Sequence, residues 1–231
     1  SSLFDDKLNL IDKSEKQLIS DSPTTKLLLE SLAKQISNLI KDYSKSNVMG
    51  IGIACPGPLD SKSGIILKTP NLKILQNINL KEELESILNF PVYIDNDANL
   101  FTLGEWFSNS NKDNEIFGGL TLGTGLGFGI IINGKIYSGA HGLAAEYAIS
   151  PLDNGNWESK VSIRAIDTIS QKYFKNEQLN PKILHQMASN GDENAIQVWN
   201  EFGINLGMVL SHFINLIDPH RISIGGGISN A

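Results

Sequence analysis

Apolar residues recur with helical spacing near the start of the chain. Between residues 25 and 43 they fall three or four apart, which predicts an amphipathic helix that Ser22 or Thr24 can cap: Leu28, Leu29, Leu32, Ile36, Leu39, Ile40. The next apolar run, residues 48–55, is broken by glycines and stopped by Pro56-Gly57. This pattern is typical of a buried strand that ends at a tight turn.

Strand and helix patterns then alternate along the chain. A short strand is predicted at residues 65–67, a helix at 80–88, a strand at 91–95 and a helix at 98–107. This alternation predicts an α/β protein, in which ligands gather at the ends of strands.

Glycines divide the second half of the chain into strands before it becomes helical. Residues 118–137 predict two or three strands joined by glycine turns, and Asn133-Gly134 is a strong hairpin signal. From residue 159 the pattern is mostly helical. It ends with a long apolar helix at residues 195–217 and a strand at 222–224.

Composition narrows the kinds of partner. The chain has 231 residues, of which 41% are hydrophobic, enough for one large core or two smaller cores separated by a cleft. A net charge of −6 argues against nucleic acid or an anionic membrane as partner, because both need clustered Lys and Arg. The sequence therefore favours small-molecule chemistry.

Cysteine usage and the amino end indicate the setting. The only cysteine, Cys55, cannot form an internal disulfide, and four scattered histidines build no thiolate-rich metal cluster, so a reducing, cytoplasmic setting fits. Residues 1–10 lack the hydrophobic core of a signal peptide, and no later run is long enough to cross a membrane. The first residues look like the second half of a strand, so we expect the complete protein to start earlier.

Acidic and amide residues crowd one junction between a strand and a helix. Four of the five residues in Asp95-Asn96-Asp97-Ala98-Asn99 are Asp or Asn, whereas capping a helix needs only one. A carboxylate at this place can accept the proton of a substrate hydroxyl, as a kinase requires. Simple helix capping is the structural alternative.

Glycine occupies every second position from Gly123 to Gly129, but two familiar phosphate-binding motifs are excluded. A dinucleotide fingerprint needs a third glycine where Phe128 or Ile130 stands. A Walker loop needs a hydroxyl residue where Ile136 stands.

What remains is a strand, a sharp Gly-Thr-Gly turn and a second strand. Bare backbone amides and the Thr124 hydroxyl can approach phosphate oxygens there. Glycines required only for close strand packing explain the motif equally well.

A third motif, Gly225-Gly226-Gly227, directly follows the last predicted strand. Three glycines let a flat ring lie against the backbone, although a flexible loop is an equal reading. The order of the three motifs decides between the structural and functional interpretations. Unrelated loops would seldom produce an acidic strand–helix junction, then a Gly-Thr-Gly hairpin, then a strand followed by three glycines.

These motifs together resemble the ROK (repressor, open reading frame, kinase) family of bacterial sugar kinases and repressors, over nearly the whole chain. The resemblance rests on five motifs: Cys55-Pro-Gly-Pro-Leu-Asp60, Thr69-Pro-Asn-Leu72, Asn96-Asp97-Ala98-Asn99 with Glu105, Gly123-Thr-Gly125 and Gly225-Gly-Gly227. It implies an α/β, actin-like (ribonuclease H-like) ATPase fold with two lobes flanking a cleft.

The resemblance also implies roles for individual residues. Asp97 corresponds to the family's catalytic base. The implied sugar-binding residues are Asn71, Asn96, Asp97, Glu146 and Glu158. The implied nucleotide-binding residues are Gly123, Thr124 and Gly125 for the phosphates and Gly225, Gly226 and Gly227 for the adenosine.

From this resemblance we expect a cytoplasmic, ATP- and Mg²⁺-dependent kinase that phosphorylates a hexose hydroxyl. Residues 1–98 would form a small lobe and residues 99–231 a large lobe, which close on the sugar. A homodimer with no nucleic-acid or membrane partner is expected. Two alternatives stay open: a sugar-sensing protein of the same family that does not phosphorylate, and an actin-like ATPase without a sugar.

The chain departs from the family pattern at three places. Ile149 stands where the family has a histidine, and Asp153, Asn154 and Asn156 occupy the region of its zinc-binding cysteines. The family's first phosphate loop, Asp-x-Gly-Gly-Thr, would precede residue 1, and truncation explains its absence more simply than loss.

The first two departures predict that the protein binds no structural zinc. Isoleucine has no lone pair to donate and carboxamides are poor zinc ligands. Elemental analysis after dialysis against a chelator should find far less than one zinc ion per chain. A stoichiometric zinc content would contradict the expectation.

Overall fold

A computed structural model describes residues 1–16, 24–44, 47–67, 69, 72–108, 116–175 and 179–230. Their contacts divide the chain into two compact units, Ser1–Asn96 and Asp97–Ala231. The division falls two residues before the predicted lobe boundary. None of the described helices is both long and apolar enough to cross a bilayer.

The first unit combines short sheets with two helices. Its elements are β1 (Ser2–Phe4), β2 (Leu10–Lys13), α1 (Thr25–Ile40), β3 (Ile51–Cys55), β4 (Leu59–Asp60), β5 (Ile65–Ile66), α2 (Leu80–Leu88) and β6 (Val92–Asn96). β3 and β6 pair in parallel, while β1–β2 and β4–β5 are antiparallel hairpins.

Local chemistry explains where the helices of the first unit begin and end. The Thr24 hydroxyl caps α1 by accepting a hydrogen bond from the backbone N–H of Leu27. α2 is capped by Asn79 and ends at Asn89, which adopts a left-handed conformation. Both helices bury apolar faces in one core with β3 and β6: Leu28, Leu29, Leu80, Leu84, Val92, Ile94. The predicted elements of this unit are confirmed to within a few residues.

The second unit is built on a four-stranded sheet and longer helices. Its elements are α3 (Asp97–Ser108), β7 (Ile116–Leu122), β8 (Leu126–Ile132), β9 (Lys135–Ile136), β10 (Pro151–Leu152), β11 (Gly155–Asn156), α4 (Ile163–Ser170), α5 (Pro181–Ser189), α6 (Glu193–Ile217) and β12 (Arg221–Gly225). The sheet order is β12-β7-β8-β9, with β12 parallel to β7 and the other pairs antiparallel.

The hairpin predicted at Asn133-Gly134 is confirmed. Both residues have positive φ, 50° and 75° respectively, as a type I′ turn requires. One face of the sheet and helices α4, α5 and α6 share a core: Leu120, Phe128, Ile166, Leu184, Val198, Phe213.

Helix α3 lies unusually close to strands β7 and β8. A methyl group added to Gly129 would lie 2.7 Å from the backbone oxygen of Ala98 and closer still to the Thr102 hydroxyl. A methyl group added to Gly119 would clash with the same Thr102 side chain, and one added to Gly127 would clash with the side chain of Ala98. The buried Thr102 hydroxyl donates to the Ala98 carbonyl oxygen at 2.7 Å. Glycine is therefore needed where the helix touches the strands.

Substitution at this contact should destabilise the protein. Gly129→Ala places a methyl group against buried helix backbone, and overpacking of this kind costs about 1–3 kcal/mol. Urea-induced unfolding followed by circular dichroism measures the change. Gly104→Ala is the matched control, because Gly104 is exposed on the same helix with open space around it, and it should gain about 0.5–1 kcal/mol. Equal stability of Gly129→Ala and wild type would contradict the packing argument.

Candidate active site

Asp97 begins helix α3 immediately after strand β6. Its Oδ1 atom accepts a hydrogen bond from the backbone N–H of Ala98 at 2.9 Å. The residue keeps an exposed surface, yet the surrounding protein removes enough water to raise the pKa of the carboxyl, against the lowering effect of that hydrogen bond. A carboxylate that favours its proton more than usual suits a general base.

Glu146 lies close enough to Asp97 and Glu158 for their charges to act on it. It opens the short 3₁₀ helix Glu146–Ile149, after Ala145 in a left-handed conformation with φ 69°. Partial burial raises the pKa of its carboxyl most, and the negative charges of Asp97 and Glu158 raise it further. Three carboxylates therefore share one part of the second unit.

Glu158 is held against the Gly-Thr-Gly turn. Its backbone N–H donates to the Ala148 carbonyl oxygen at 2.9 Å, and its Oε2 atom accepts from the backbone N–H of Leu126 at 3.3 Å. A methyl group on Gly125 would lie 2.5 Å from that Oε2 atom. Any larger residue at position 125 would displace the carboxylate.

The Gly-Thr-Gly turn joins β7 to β8. The Gly123 N–H donates to the Gly125 carbonyl oxygen at 3.0 Å, and the Gly123 carbonyl oxygen accepts from Ile163 N–H at 2.9 Å. A methyl group on Gly123 would meet nothing within 4 Å. The alternating glycines are thus required for different reasons. Gly127 and Gly129 allow close packing against helix α3, and Gly125 makes room for the Glu158 side chain. Gly123 lies in open space, where packing does not require glycine.

The triple glycine lies beside the end of β7. A methyl group on Gly225 would lie 2.5 Å from the Phe101 ring, and Gly226, with φ 97°, packs on the backbone of Leu122. Only Gly227 has open space around it. The first two glycines are therefore required by close packing, which argues against a flexible loop.

One predicted sugar-binding residue, Asn96, belongs to the first unit. Asn96 is the last residue of β6 and directly precedes Asp97 in the chain. Asn71 lies outside the described residues.

The segment between the two glutamates is a small hairpin followed by a buried ring. β10 and β11 pair as a small hairpin, and the Asn156 side-chain oxygen accepts a hydrogen bond from Ser159 N–H at 2.9 Å. Trp157 is buried and Ile149 is exposed. Hydrogen bonds and packing hold this segment, and its amide, carboxylate and isoleucine side chains do not fit a zinc ion. Within the part of the chain that the structure describes, no group of three or more His, Cys, Asp or Glu has a metal-binding arrangement.

Sequence reasoning missed an aromatic cluster, formed by Phe128, Tyr147, Trp157 and His212, that contains the neighbours of both glutamates. The Tyr147 and Trp157 rings stack with centroids 6.4 Å apart, and the His212 ring meets Trp157 edge-on at 5.2 Å. His212 Nδ1 lies 2.9 Å from the Tyr147 hydroxyl. The adjacency of Tyr147 and Trp157 to the glutamates was a usable signal, whereas His212 lies in helix α6 without any motif.

Comparisons with known proteins match nearly the whole chain. The model of the ROK family matches residues 2–231. Glucokinase of Halalkalibacterium halodurans is 30% identical over 88% of this chain and 68% of its own length. N-acetyl-D-glucosamine kinase of Aliivibrio fischeri is 28% identical over 98% and 80%. The xylose repressor of Caldicellulosiruptor bescii is 30% identical over 88% of this chain, which spans 56% of the repressor.

Solved structures confirm the predicted fold class. The glucokinase of Parabacteroides distasonis superposes with a TM-score of 0.79 at 28% identity, covering 90% of this chain and 64% of its own. A ROK family glucokinase of Streptomyces griseus, solved with glucose and AMPPNP, gives 0.82 at 24% identity, covering 99% and 80%. The chain has the α/β, actin-like ATPase fold of these sugar kinases.

The raised pKa of Glu146 predicts that replacing this residue with an uncharged one stabilises the protein in a pH-dependent way. The pKa of Glu146 is higher in the folded protein than in the unfolded chain, where it is about 4.3. Between these two pKa values the native state binds more protons than the unfolded state. The free energy of unfolding therefore falls as the pH rises through this range. Glu146→Gln removes this loss. It should unfold at higher urea concentration than wild type at pH 7, with the gain vanishing near pH 4.

The matched control is Asp153→Asn, at the exposed turn between β10 and β11. If the Glu146→Gln variant is no more stable than the wild type at pH 7, burial and neighbouring charges do not destabilise the ionised carboxylate, and the prediction is wrong.

Proposed function

The chain belongs to the ROK family, and on that basis we propose that it is an ATP-dependent hexose kinase with Asp97 as general base. One observation carries the proposal. Asp97 and Glu158 both act on the carboxyl of Glu146, and Glu158 contacts the Gly-Thr-Gly turn. A candidate base, two candidate sugar ligands and a candidate phosphate loop thus lie in one unit.

The chemistry assigned to Asp97 is proton acceptance from a sugar hydroxyl. Phosphoryl transfer needs little covalent help from the protein and depends on positioning and charge stabilisation. A carboxylate with a raised pKa takes the proton more readily as the hydroxyl oxygen attacks. The backbone N–H of Ala98 donates a hydrogen bond to Asp97 Oδ1 and fixes that oxygen, which favours reaction through the other carboxylate oxygen.

Glu146 and Glu158 are assigned to the sugar. A carboxylate accepts hydrogen bonds only, and sugar hydroxyls are donors that can replace the water these side chains have lost. A neutral sugar also adds no charge to a place where the carboxyl of Glu146 already feels the negative charges of Asp97 and Glu158. A polyhydroxylated neutral substrate fits this arrangement better than an anionic one.

The two glycine motifs are assigned to the nucleotide, which we take to be the magnesium complex of ATP. Gly123, Thr124 and Gly125 offer backbone amides and a hydroxyl to phosphate oxygens, and Gly227 has open space beside it for the adenosine. AMPPNP in the Streptomyces griseus glucokinase supports ATP as the phosphoryl donor. The magnesium ion would arrive with the nucleotide and neutralise phosphate charge.

We take glucose and N-acetylglucosamine as the first candidate sugars, because two of the relatives are named glucokinase and N-acetyl-D-glucosamine kinase. Ile149 follows Glu146 by three residues and is exposed, so it offers an apolar surface rather than a polar contact. The likeness to the xylose repressor keeps a sugar-sensing protein as the second candidate. Sugar binding without any turnover would favour that candidate.

The proposal predicts that the full-length protein phosphorylates a hexose and that Asp97→Asn abolishes most of the activity. A positioned base contributes about 10²–10⁴-fold to the rate, so kcat should fall at least about 100-fold while the fold is kept. A coupled ATPase assay across a sugar panel measures this. Asp153→Asn, on the exposed β10–β11 turn, should retain wild-type kcat. A folded Asp97→Asn protein with near-native kcat would remove Asp97 from the mechanism.

A further inference from the structure

Each proposed sugar-binding glutamate is joined in sequence to a member of the aromatic cluster. Tyr147 follows Glu146, and Trp157 precedes Glu158. The two rings stack at 27° to each other. The backbone hydrogen bond from Glu158 N–H to Ala148 also ties the two segments together. The segments that carry the two glutamates are therefore in direct contact.

His212 anchors this pair to a long helix. The residue lies in α6 beside Phe213, whose buried ring packs against Phe128 of β8 at 5.2 Å. Its imidazole contacts Trp157 edge-on, and its Nδ1 atom pairs with the Tyr147 hydroxyl. One side chain from a rigid element thus touches the neighbours of both glutamates.

The segments that carry the glutamates have little regular structure of their own. Glu146 opens a four-residue 3₁₀ helix, and Glu158 follows a hairpin whose strands have two residues each. Such short elements do not fix side-chain positions to the precision that substrate binding needs, so other contacts must supply it.

We propose that Tyr147 and His212 are positioning residues whose hydrogen bond holds Glu146 and Glu158 at the spacing that the sugar requires. Neither residue is assigned a contact with the substrate. This role rests on the proposed sugar-binding function of the two glutamates.

Two substitutions remove this hydrogen bond while keeping the rings. Tyr147→Phe deletes the hydroxyl, and His212→Phe deletes Nδ1 while leaving an aromatic edge for Trp157. Each should raise the KM for glucose or N-acetylglucosamine about 5- to 10-fold, the value of one hydrogen bond, with kcat and the KM for ATP within about twofold of wild type. Tyr147→Phe also removes a hydrogen bond between the Tyr147 hydroxyl and the Trp157 side chain. The double variant should therefore be no worse than Tyr147→Phe alone, because that change already removes the one interaction that His212→Phe removes.

Matched controls come from the same unit. Tyr137→Phe and His185→Phe change the same residue types at exposed positions and should leave the KM for sugar unchanged. A purely structural role for Tyr147 and His212 would lower thermal stability without this selective rise in sugar KM, and that result would overturn the proposal. Additive losses in the double variant would overturn it as well.

A second readout does not depend on turnover. In the wild type, burial and two neighbouring charges raise the pKa of Glu146, and NMR titration of ¹³C-labelled glutamate side chains measures it. In Tyr147→Phe and His212→Phe this pKa should move towards the ordinary value as the carboxylates separate. An unchanged pKa in both variants would overturn the proposal. If the wild type phosphorylates neither sugar, the hexose-kinase function has failed, and this titration still decides the positioning role.

Discussion

The close approach of helix α3 to strands β7 and β8 is the constraint on which the proposed site depends. The helix begins at Asp97, so its distance from the strands fixes where this carboxylate stands relative to the turn that ends β7. Glycines at 119, 127 and 129 allow that distance, and the Thr102 hydroxyl fills the space between. A larger residue at any of these positions would push the helix, and Asp97 with it, away from the turn.

The grouping of three carboxylates has an energetic cost in the free protein. Burial and the negative charges of Asp97 and Glu158 both disfavour the ionised form of Glu146, so this carboxylate is less stable there than a neutral side chain would be. Hydroxyl donors from a sugar would relieve part of this cost on binding. Sites that trade stability for function in this way are common in enzymes.

Much of this organisation could be predicted from the sequence. Helix Leu80–Leu88 and the Asn133-Gly134 turn follow directly from local patterns, because spacing and turn chemistry are local properties. The sequence did not predict which of the alternating glycines are required by close packing. Gly123 and Gly129 look alike in sequence, yet one lies in open space and the other against α3, which is a property of tertiary packing.

Contacts between distant segments explain what the sequence did not reveal. The Leu126 N–H that meets Glu158 is 32 residues away from it in the chain, and His212 lies 65 residues from Tyr147. A single backbone amide or a lone histidine carries no pattern that would indicate such a partner. The first contact involves Glu158, which the resemblance to the ROK family had already singled out, and the second involves Tyr147, the neighbour of Glu146.

The position of a bound sugar tests the central claim most directly. A crystal structure of the full-length protein with glucose and AMPPNP should place one sugar hydroxyl within hydrogen-bond distance of Asp97 and beside the terminal phosphate, with Glu146 and Glu158 accepting from other hydroxyls. A sugar bound elsewhere, or one whose hydroxyls contact neither Asp97 nor the two glutamates, would contradict the account.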